Sequence, residues 1–450
     1  MKFIVGKDTV VETIADDMKP IDIINAKVNS IGREDKDDAF FIGDLGDIIN
    51  KIKKFKQHLP NVEPFYAVKC NNEPAVLNLL SNNGLGFDCA SKVEIQTMLN
   101  LGVSPDRIIF ANPCKQTSHI KYAASNNVSM MTFDNEQELH KIKANFPHAQ
   151  LVIRIQVDDS KSLCQLGVKF GVPQGKTRPL LEAAKRLQLN VIGVSFHVGS
   201  GCYDSEAFYY AVKAARNVFN EGESLGFNFT LLDIGGGFPG DNAAAISFEE
   251  SADQLNRAFA KYFPANCGVR IIAEPGRFYV SSAYTIVCNI TSVRSITGEN
   301  SSEKSNQKEG FMYYVNDGVY GSFNCILFDH NSPVPEPLEP SEGRKLFPSS
   351  IWGPTCDSMD CINKRTMLPE MEVGDWIYFV NMGAYTLSAA STFNGFMKPR
   401  VHYVVGEMHS PVLRQYYRPL KENRGHECFI LEDKHKLDHV IKSTENIFLI

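Results

Sequence analysis

Positive charge is in deficit: 46 Lys and Arg stand against 52 Asp and Glu, a formal net charge of −6 with a pI near 6.0. Without a basic footprint the chain has little means of gripping a polyphosphate backbone, which argues against a nucleic-acid partner. Long apolar runs are missing as well. None approaches the roughly 18–20 residues that cross a bilayer, so no membrane partner is expected. The N-terminal stretch MKFIVGKDTVVETIADD turns acidic too early for a secretory leader. The 11 cysteines include no CxxC pair and none sits near a histidine at zinc-finger spacing. No metal centre is expected, and free thiols fit a reducing cytoplasm. Internal repeats are absent. What remains is an ordinary globular composition, 43% hydrophobic and 22% charged, long enough at 450 residues for two domains.

The order of segments suggests what those domains are. From about residue 40 to 280, short β runs alternate with amphipathic helical stretches: AFFIGDL (39–45), PFYAVKC (64–70), LGFDCAS (85–91), RIIFANP (107–113), SMMTFD (129–134), QLVIRIQV (150–157), VIGVSFHVGSG (191–201), TLLDIGGGFPG (230–240) and RIIAEPGR (270–277). Parallel strands linked by helices are the α/β signature, and about eight of them predict a closed (β/α)8 TIM-type barrel over 41–280, with an open doubly wound sheet as the competitor. Beyond 280 the texture is β-rich without intervening helices, as in VSSAYTIVCNITSVRSI (280–296) and GDWIYFVNMGAYT (374–386). A mostly antiparallel β domain is expected over 281–405. Residues 1–40 have no clear pattern and are expected to pack with that domain, and 406–450 read as a mixed tail. TGENSSEKSNQKEG (297–310) is a polar insertion, and NSPVPEPLEPSEGR (331–344) a proline-rich surface loop.

Nearly every strand of the α/β region ends in polar, Gly-rich or charged residues, where barrel chemistry sits. Lys69 closes the apolar run FYAV. A buried ammonium needs a partner, a shifted pKa or a covalent task; a Schiff-base lysine is one reading and a simple strand-end ion pair the other. In DIGGGFPG (233–240), three glycines after a strand let amide N–H groups converge on an anion, or else make a tight βα turn. The spacing matches neither G-x-G-x-x-G nor the P-loop, which disfavours dinucleotides and ATP. In AEPGR, Glu274 and Arg277 either pair locally or divide the work, the arginine meeting a phosphate and the carboxylate a cationic ring nitrogen. His197 and Ser200 of SFHVGSG supply a flat imidazole and a hydroxyl, although a satisfied core histidine is the bland alternative. Asp88 ends the second strand. A lysine, a ring platform, a glycine nest, an arginine and a pyridine-facing carboxylate together make a set suited to pyridoxal 5'-phosphate.

PFYAVKCN, GFDCASKVEI, FANPCKQ, GVSFHVGSGC, LDIGGGFPG, AEPGR, VNDGVYGSFNCILFDH, WGPTCDSMD and NMGAYT, nine motifs in order from about residue 37 to 405, resemble the eukaryotic ornithine decarboxylase family. The resemblance implies a pyridoxal-phosphate barrel of the alanine-racemase-like type joined to a β domain, a homodimer with shared sites, and decarboxylation of L-ornithine to putrescine and CO2, the first step of polyamine biosynthesis. It implies that Lys69 carries the cofactor, His197 stacks on its ring, Glu274 pairs with the ring nitrogen and Asp88 and Arg154 lie nearby. Ser200, Gly235, Gly236, Gly237, Pro275, Gly276, Arg277 and Tyr385 would hold the phosphate region. Cys356 would serve reprotonation from the partner subunit, together with Asp357 and Phe393 from that side. Asp329 and Asp357 would take the substrate's distal ammonium beside Phe328, and Lys169 with Asp360 would bridge the subunits.

The sequence departs from the family pattern in places. Phe328 stands where many members carry tyrosine, and Gln165 and Gly167 replace a commoner Arg and Ser. The tail carries Lys, Arg and His among its acids rather than a Pro/Glu/Ser/Thr-rich composition. Two alternatives follow: a catalytically inactive regulator that binds antizyme, or a decarboxylase for lysine, arginine or leucine. Residues 117–141 resemble an antizyme-binding stretch, with Lys121 and Glu138 in place. Against the regulator, Lys69, Asp88, Arg154, His197, Arg277, Asp329, Cys356 and Asp357 are all intact.

Overall fold

A computed structural model of the chain describes residues 1–6, 9–30, 37–241, 244–297 and 308–420. Residues 298–307 of the polar insertion and the tail beyond 420 lie outside the described residues. Eight parallel strands close into a barrel: Val62–Ala67, Gly86–Cys89, Ile108–Phe110, Met130–Phe133, Gln150–Arg154, Asn190–Ser195, Leu231–Asp233 and Arg270–Ala273. The last pairs back onto the first, Ile271 to Ala273 against Val62 to Pro64. These strands are short, nearly continuous apolar runs because helices cover one face and barrel-filling side chains the other. Phe65, Ile109, Met130, Val152, Leu231 and Ile272, from six different strands, pack into one cluster of inward-facing residues.

Seven helices follow the first seven barrel strands in the usual alternation. Their starts are written locally: Ser91 accepts from the Glu94 N–H, Asn135 from the Glu138 N–H, and Ser247 with Glu250 makes a reciprocal capping box. The eighth position of the ring is filled from the other side of the sequence. Helix Leu45–His58 precedes the first barrel strand and sends Phe55 into an aromatic cluster with Phe238, Phe248 and Phe278.

The second domain is a ten-stranded mixed sheet. Its long strand Tyr284–Thr297 pairs antiparallel with Phe40–Asp44, Lys308–Val315 and Trp376–Phe379. Most neighbours are antiparallel, but Arg400–Gly406 runs parallel to both Thr9–Ile14 and Phe40–Asp44, and Lys308–Val315 parallel to Leu346–Trp352. The N-terminal residues, unplaced by pattern, supply strands Lys2–Val5 and Thr9–Ile14 at the sheet's edge and helix Pro20–Ser30. One expectation is corrected. The run AFFIGDL, taken as the opening strand of the α/β region, belongs to this sheet, and the barrel strands begin at Val62. Phe40 to Gly43 are buried on both faces, as a barrel strand would be, so the pattern alone does not separate the two. Among the described residues no helix is long and apolar enough to cross a membrane.

Candidate active site

The strand-end residues converge on the carboxyl end of the barrel. The first strand stops at Ala67 and a single tight turn, Val68–Cys70, carries Lys69. Register places Ala67 beside Asp88, and Lys69 Nζ meets Asp88 Oδ2 at 2.5 Å. Asp88 is 1% exposed, whereas the lysine chain stands 46% open to the cleft it enters. Withdrawal from bulk water works against the ammonium, but Asp88, Tyr385 and Glu274 together outweigh it and raise the lysine pKa. Against Asp88, Lys69 is therefore a held cation, not a free amine.

His197 follows the sixth strand. Its Nδ1 accepts from the Gly199 N–H at 3.0 Å, leaving the proton of a neutral ring on Nε2. Burial, with Arg154 and Lys69 nearby, pushes its pKa well down, so the imidazole stays uncharged. The seventh strand ends at Asp233 and turns through the glycine nest, with φ of +61° at Gly235 and +103° at Gly237. Glu274 follows the eighth strand, and Arg277 opens the short helix Arg277–Val280. The Arg277 Nη2 donates to Ser200 Oγ at 3.0 Å, and its guanidinium lies 5.3 Å from the Tyr385 ring centre. Tyr385 adopts φ +55°, uncommon for a bulky residue, and is held there by its N–H to the Cys70 carbonyl at 2.9 Å.

Lys69, Asp88, His197, Ser200, Gly236, Gly237, Glu274, Gly276, Arg277 and Tyr385 thus line one cleft. Arg154, at the end of the fifth strand, is buried behind it and acts electrostatically on His197 and Glu274. Asp233 was missed by sequence reasoning, because an aspartate before glycines looks like turn chemistry. It is fully buried, accepts from the Gly235 N–H at 2.9 Å, and is pushed up to about 6 chiefly by burial. Glu274 beside it is pushed well up by burial and by Asp233. Two acids crowded into one buried corner want a further cation.

The donor set fits pyridoxal 5'-phosphate. Glu274 Oε1 and Asp88 Oδ1 are buried without hydrogen-bond partners. A cationic ring nitrogen would satisfy the glutamate, and the nest with Ser200 and Arg277 would take a phosphate. Asp329 also reaches this cleft, with Oδ1 2.5 Å from Arg277 Nη2 and Oδ2 buried without a partner. Among the described residues no cluster suits a metal ion.

Other sequence-predicted residues are not brought here within one chain. Cys356, Asp357 and Phe393 form a surface group on the β domain. Tyr320 donates its hydroxyl to Asp357 and stacks on Phe393 with ring centres 4.5 Å apart, and the Cys356 N–H approaches Asn394 Oδ1 at 3.4 Å. Phe328 is 70% exposed. Lys169 lies over the Phe170 ring, while Asp360 is buried and accepts from the Val319 and Thr355 N–H groups at 2.8 and 2.9 Å.

Fold and site together define a barrel enzyme built around a phosphorylated, ring-nitrogen cofactor. Residues 45–281 match the family model described as "Pyridoxal-dependent decarboxylase, pyridoxal binding domain". The chain is 54% identical to ornithine decarboxylase of Rattus norvegicus over 88% of its length and 86% of that protein's. It is 52% identical to antizyme inhibitor 2 of Xenopus laevis, over 85% of each chain. Its fold matches the crystal structure of the Paramecium bursaria Chlorella virus arginine decarboxylase bound to agmatine with a TM-score of 0.79 and 35% identity, covering 85% of this chain and all of that one. The chain belongs to the ornithine decarboxylase family of pyridoxal-dependent decarboxylases.

Proposed function

We propose that this protein decarboxylates L-ornithine to putrescine and CO2 with pyridoxal 5'-phosphate held in the barrel cleft. The observation that carries the reading is the cleft itself, in which Lys69, Asp88, His197, the glycine nest, Glu274 and Arg277 all meet. Bound there, the cofactor supplies an electron sink for the pair left when the bond between Cα and the carboxylate breaks. The chain's residues do the rest. Lys69 Nζ holds the cofactor covalently, and Asp88 Oδ2 keeps that nitrogen charged and oriented. Glu274, ionised beside a ring cation, keeps a proton on the ring nitrogen. His197, neutral and fixed by Gly199, offers a flat apolar face to the ring. Gly235, Gly236, Gly237, Ser200 and Arg277 hold the phosphate. Asp329 Oδ2, buried and unpartnered, takes the substrate's distal ammonium, and this remote contact orients the scissile bond. A neutral side chain there would leave the buried Oδ2 of Asp329 without a partner, a cost of about 1–3 kcal/mol.

The site is completed by a second copy of the chain. Cys356, Asp357 and Phe393 sit together at the surface, away from their own chain's cleft, in the company of the exposed Met359, Phe396 and Met397. An apolar surface of this kind is suited to an interface. In a homodimer, Cys356 Sγ would deliver the proton to Cα of the product and Asp357 would join Asp329. Similarity to antizyme inhibitor 2 supports a second partner, antizyme, and the surface we assign to it is 117–141, on the resemblance of that stretch. There Lys121 is exposed, but Glu138 is buried, clamped by Lys115 and Lys141 at 3.0 and 2.6 Å, so it shapes that surface without presenting itself on it. The ten cysteines of the described residues are unpaired, which supports a reducing cytoplasm.

The test is release of CO2 from ornithine, lysine, arginine and leucine in parallel. Ornithine should be the preferred substrate, and Lys69→Ala should abolish release together with the borohydride-fixed pyridoxyl group. Antizyme binding by wild-type protein that releases CO2 from none of them would replace this reading with the regulatory one.

A further inference from the structure

The loop that carries the glycine nest is fastened at its far end. The Gly240 carbonyl accepts from Lys51 Nζ at 2.7 Å and lies 3.2 Å from the Ser282 hydroxyl, which in turn reaches Asp47 Oδ2 at 2.6 Å. Asp47 and Lys51 are one turn apart on helix Leu45–His58. Beside them Ser281 Oγ donates to Asp241 Oδ2 at 3.0 Å. Gly240 is packed so closely that a Cβ there would stand 2.5 Å from the Arg277 carbonyl oxygen and 2.6 Å from Ser281 Cβ. The lysine chain crosses the Phe278 ring at 5.2 Å to make its contact. Two segments otherwise independent in sequence, 235–241 and 277–282, are therefore tied to each other and to a single helix. Lys51 also feels the carboxylates of Asp47, Asp241 and Glu249 around this corner. Its neighbour Lys54 behaves ordinarily, pairing with Glu249 at 2.8 Å at the surface.

We propose that Lys51, with Asp47 and Ser282, is a positioning latch that sets the nest amides and the Arg277 guanidinium in the relative placement a phosphate monoester requires before the cofactor arrives. The inference rests on the reading of that corner as the phosphate site. A nest held in place binds its anion without the cost of ordering a loop at the moment of binding. Released, the loop would have to be ordered by the ligand, and only a ligand carrying the phosphate would feel the difference.

That selectivity is the test. Cofactor-free protein is titrated with pyridoxal 5'-phosphate and, separately, with pyridoxal, which has the ring and aldehyde but no phosphate. Lys51→Met should weaken phosphate-ester binding about tenfold, equivalent to about 1.4 kcal/mol, and leave pyridoxal affinity unchanged. Lys51→Arg should recover most of the loss, Ser282→Ala should move affinity in the same direction by less, and Lys54→Met should do nothing. Unchanged phosphate-ester affinity in folded Lys51→Met, or equal losses for both ligands, would overturn the latch. Should Lys51→Met fail to fold, Ser282→Ala carries the same comparison. Wild-type protein that bound the phosphate ester no better than pyridoxal would instead overturn the assignment of the phosphate corner.

Discussion

Glu274 and Asp233 show how one carboxyl can be legible in sequence and its neighbour not. Glu274 stands in AEPGR beside an arginine, where a carboxylate and a phosphate ligand make sense together. Asp233 precedes three glycines and looks like a turn residue. Only the barrel places both in one buried corner, where burial raises both and the charge of Asp233 disfavours that of Glu274. Such an acid is set to ionise when a ring cation arrives. Glu274→Gln keeps the shape and removes the charge. Its kcat on ornithine should fall roughly 10²-fold, about 2.7 kcal/mol of barrier, with a much smaller change in KM, as steady-state kinetics would measure. A KM effect alone would mean that Glu274 only binds. The Lys69–Asp88 contact is legible in its parts but not in its pairing. The two residues are 19 apart in sequence, and it is the register of Ala67 with Asp88 that brings them together.

At the level of elements, most of the barrel is visible in the sequence, because its strands and helices are coded by short-range pattern. The glycine nest illustrates the link from element to function. Gly235 takes φ +61°, and a Cβ there would collide with the Phe196 carbonyl. Gly235→Ala should therefore lose about 1–3 kcal/mol of stability through backbone strain, with a steric cost on top, and should lose most of its affinity for pyridoxal 5'-phosphate. Gly343→Ala separates the two causes: φ is +75° with nothing within 4 Å, so only the conformational cost of about 1–2 kcal/mol applies. Denaturant unfolding of both variants measures the difference, and equal losses would remove the steric argument. The misplaced strand Phe40–Asp44 has an equally physical cause. A strand buried on both faces looks alike in a closed barrel and in the middle of an open sheet, and only its hydrogen-bonded neighbours, Tyr284–Thr297 and Arg400–Gly406, tell them apart.

At the scale of the whole molecule, the proposed function draws on a second copy of the chain to complete the site. Cys356 and Asp357 are chemically suited to the reaction and positioned away from their own cleft. If each site draws Lys69 from one chain and Cys356 from the other, two inactive variants should rescue each other. Lys69→Ala mixed with Cys356→Ala and allowed to exchange would yield heterodimers in half of the population under random pairing, each with one intact site, so about a quarter of wild-type activity should return. Activity that stayed at the level of the separate variants, with exchange shown by mass, would rule out a shared site.

By itself the sequence determined the kind of chemistry and most of the barrel. Each catalytic motif is a local event, a polar group at the end of a short apolar strand, and local patterns survive in a linear string. The tertiary structure alone decided which groups face one another: Arg277 with Asp329 across 52 residues, Asp233 with Glu274 in one dry corner, Lys51 on the carbonyl of a loop 189 residues away. Such contacts depend on barrel closure and on the docking of one domain against the other. Both are set by the packing of the whole chain, which no short stretch of residues encodes.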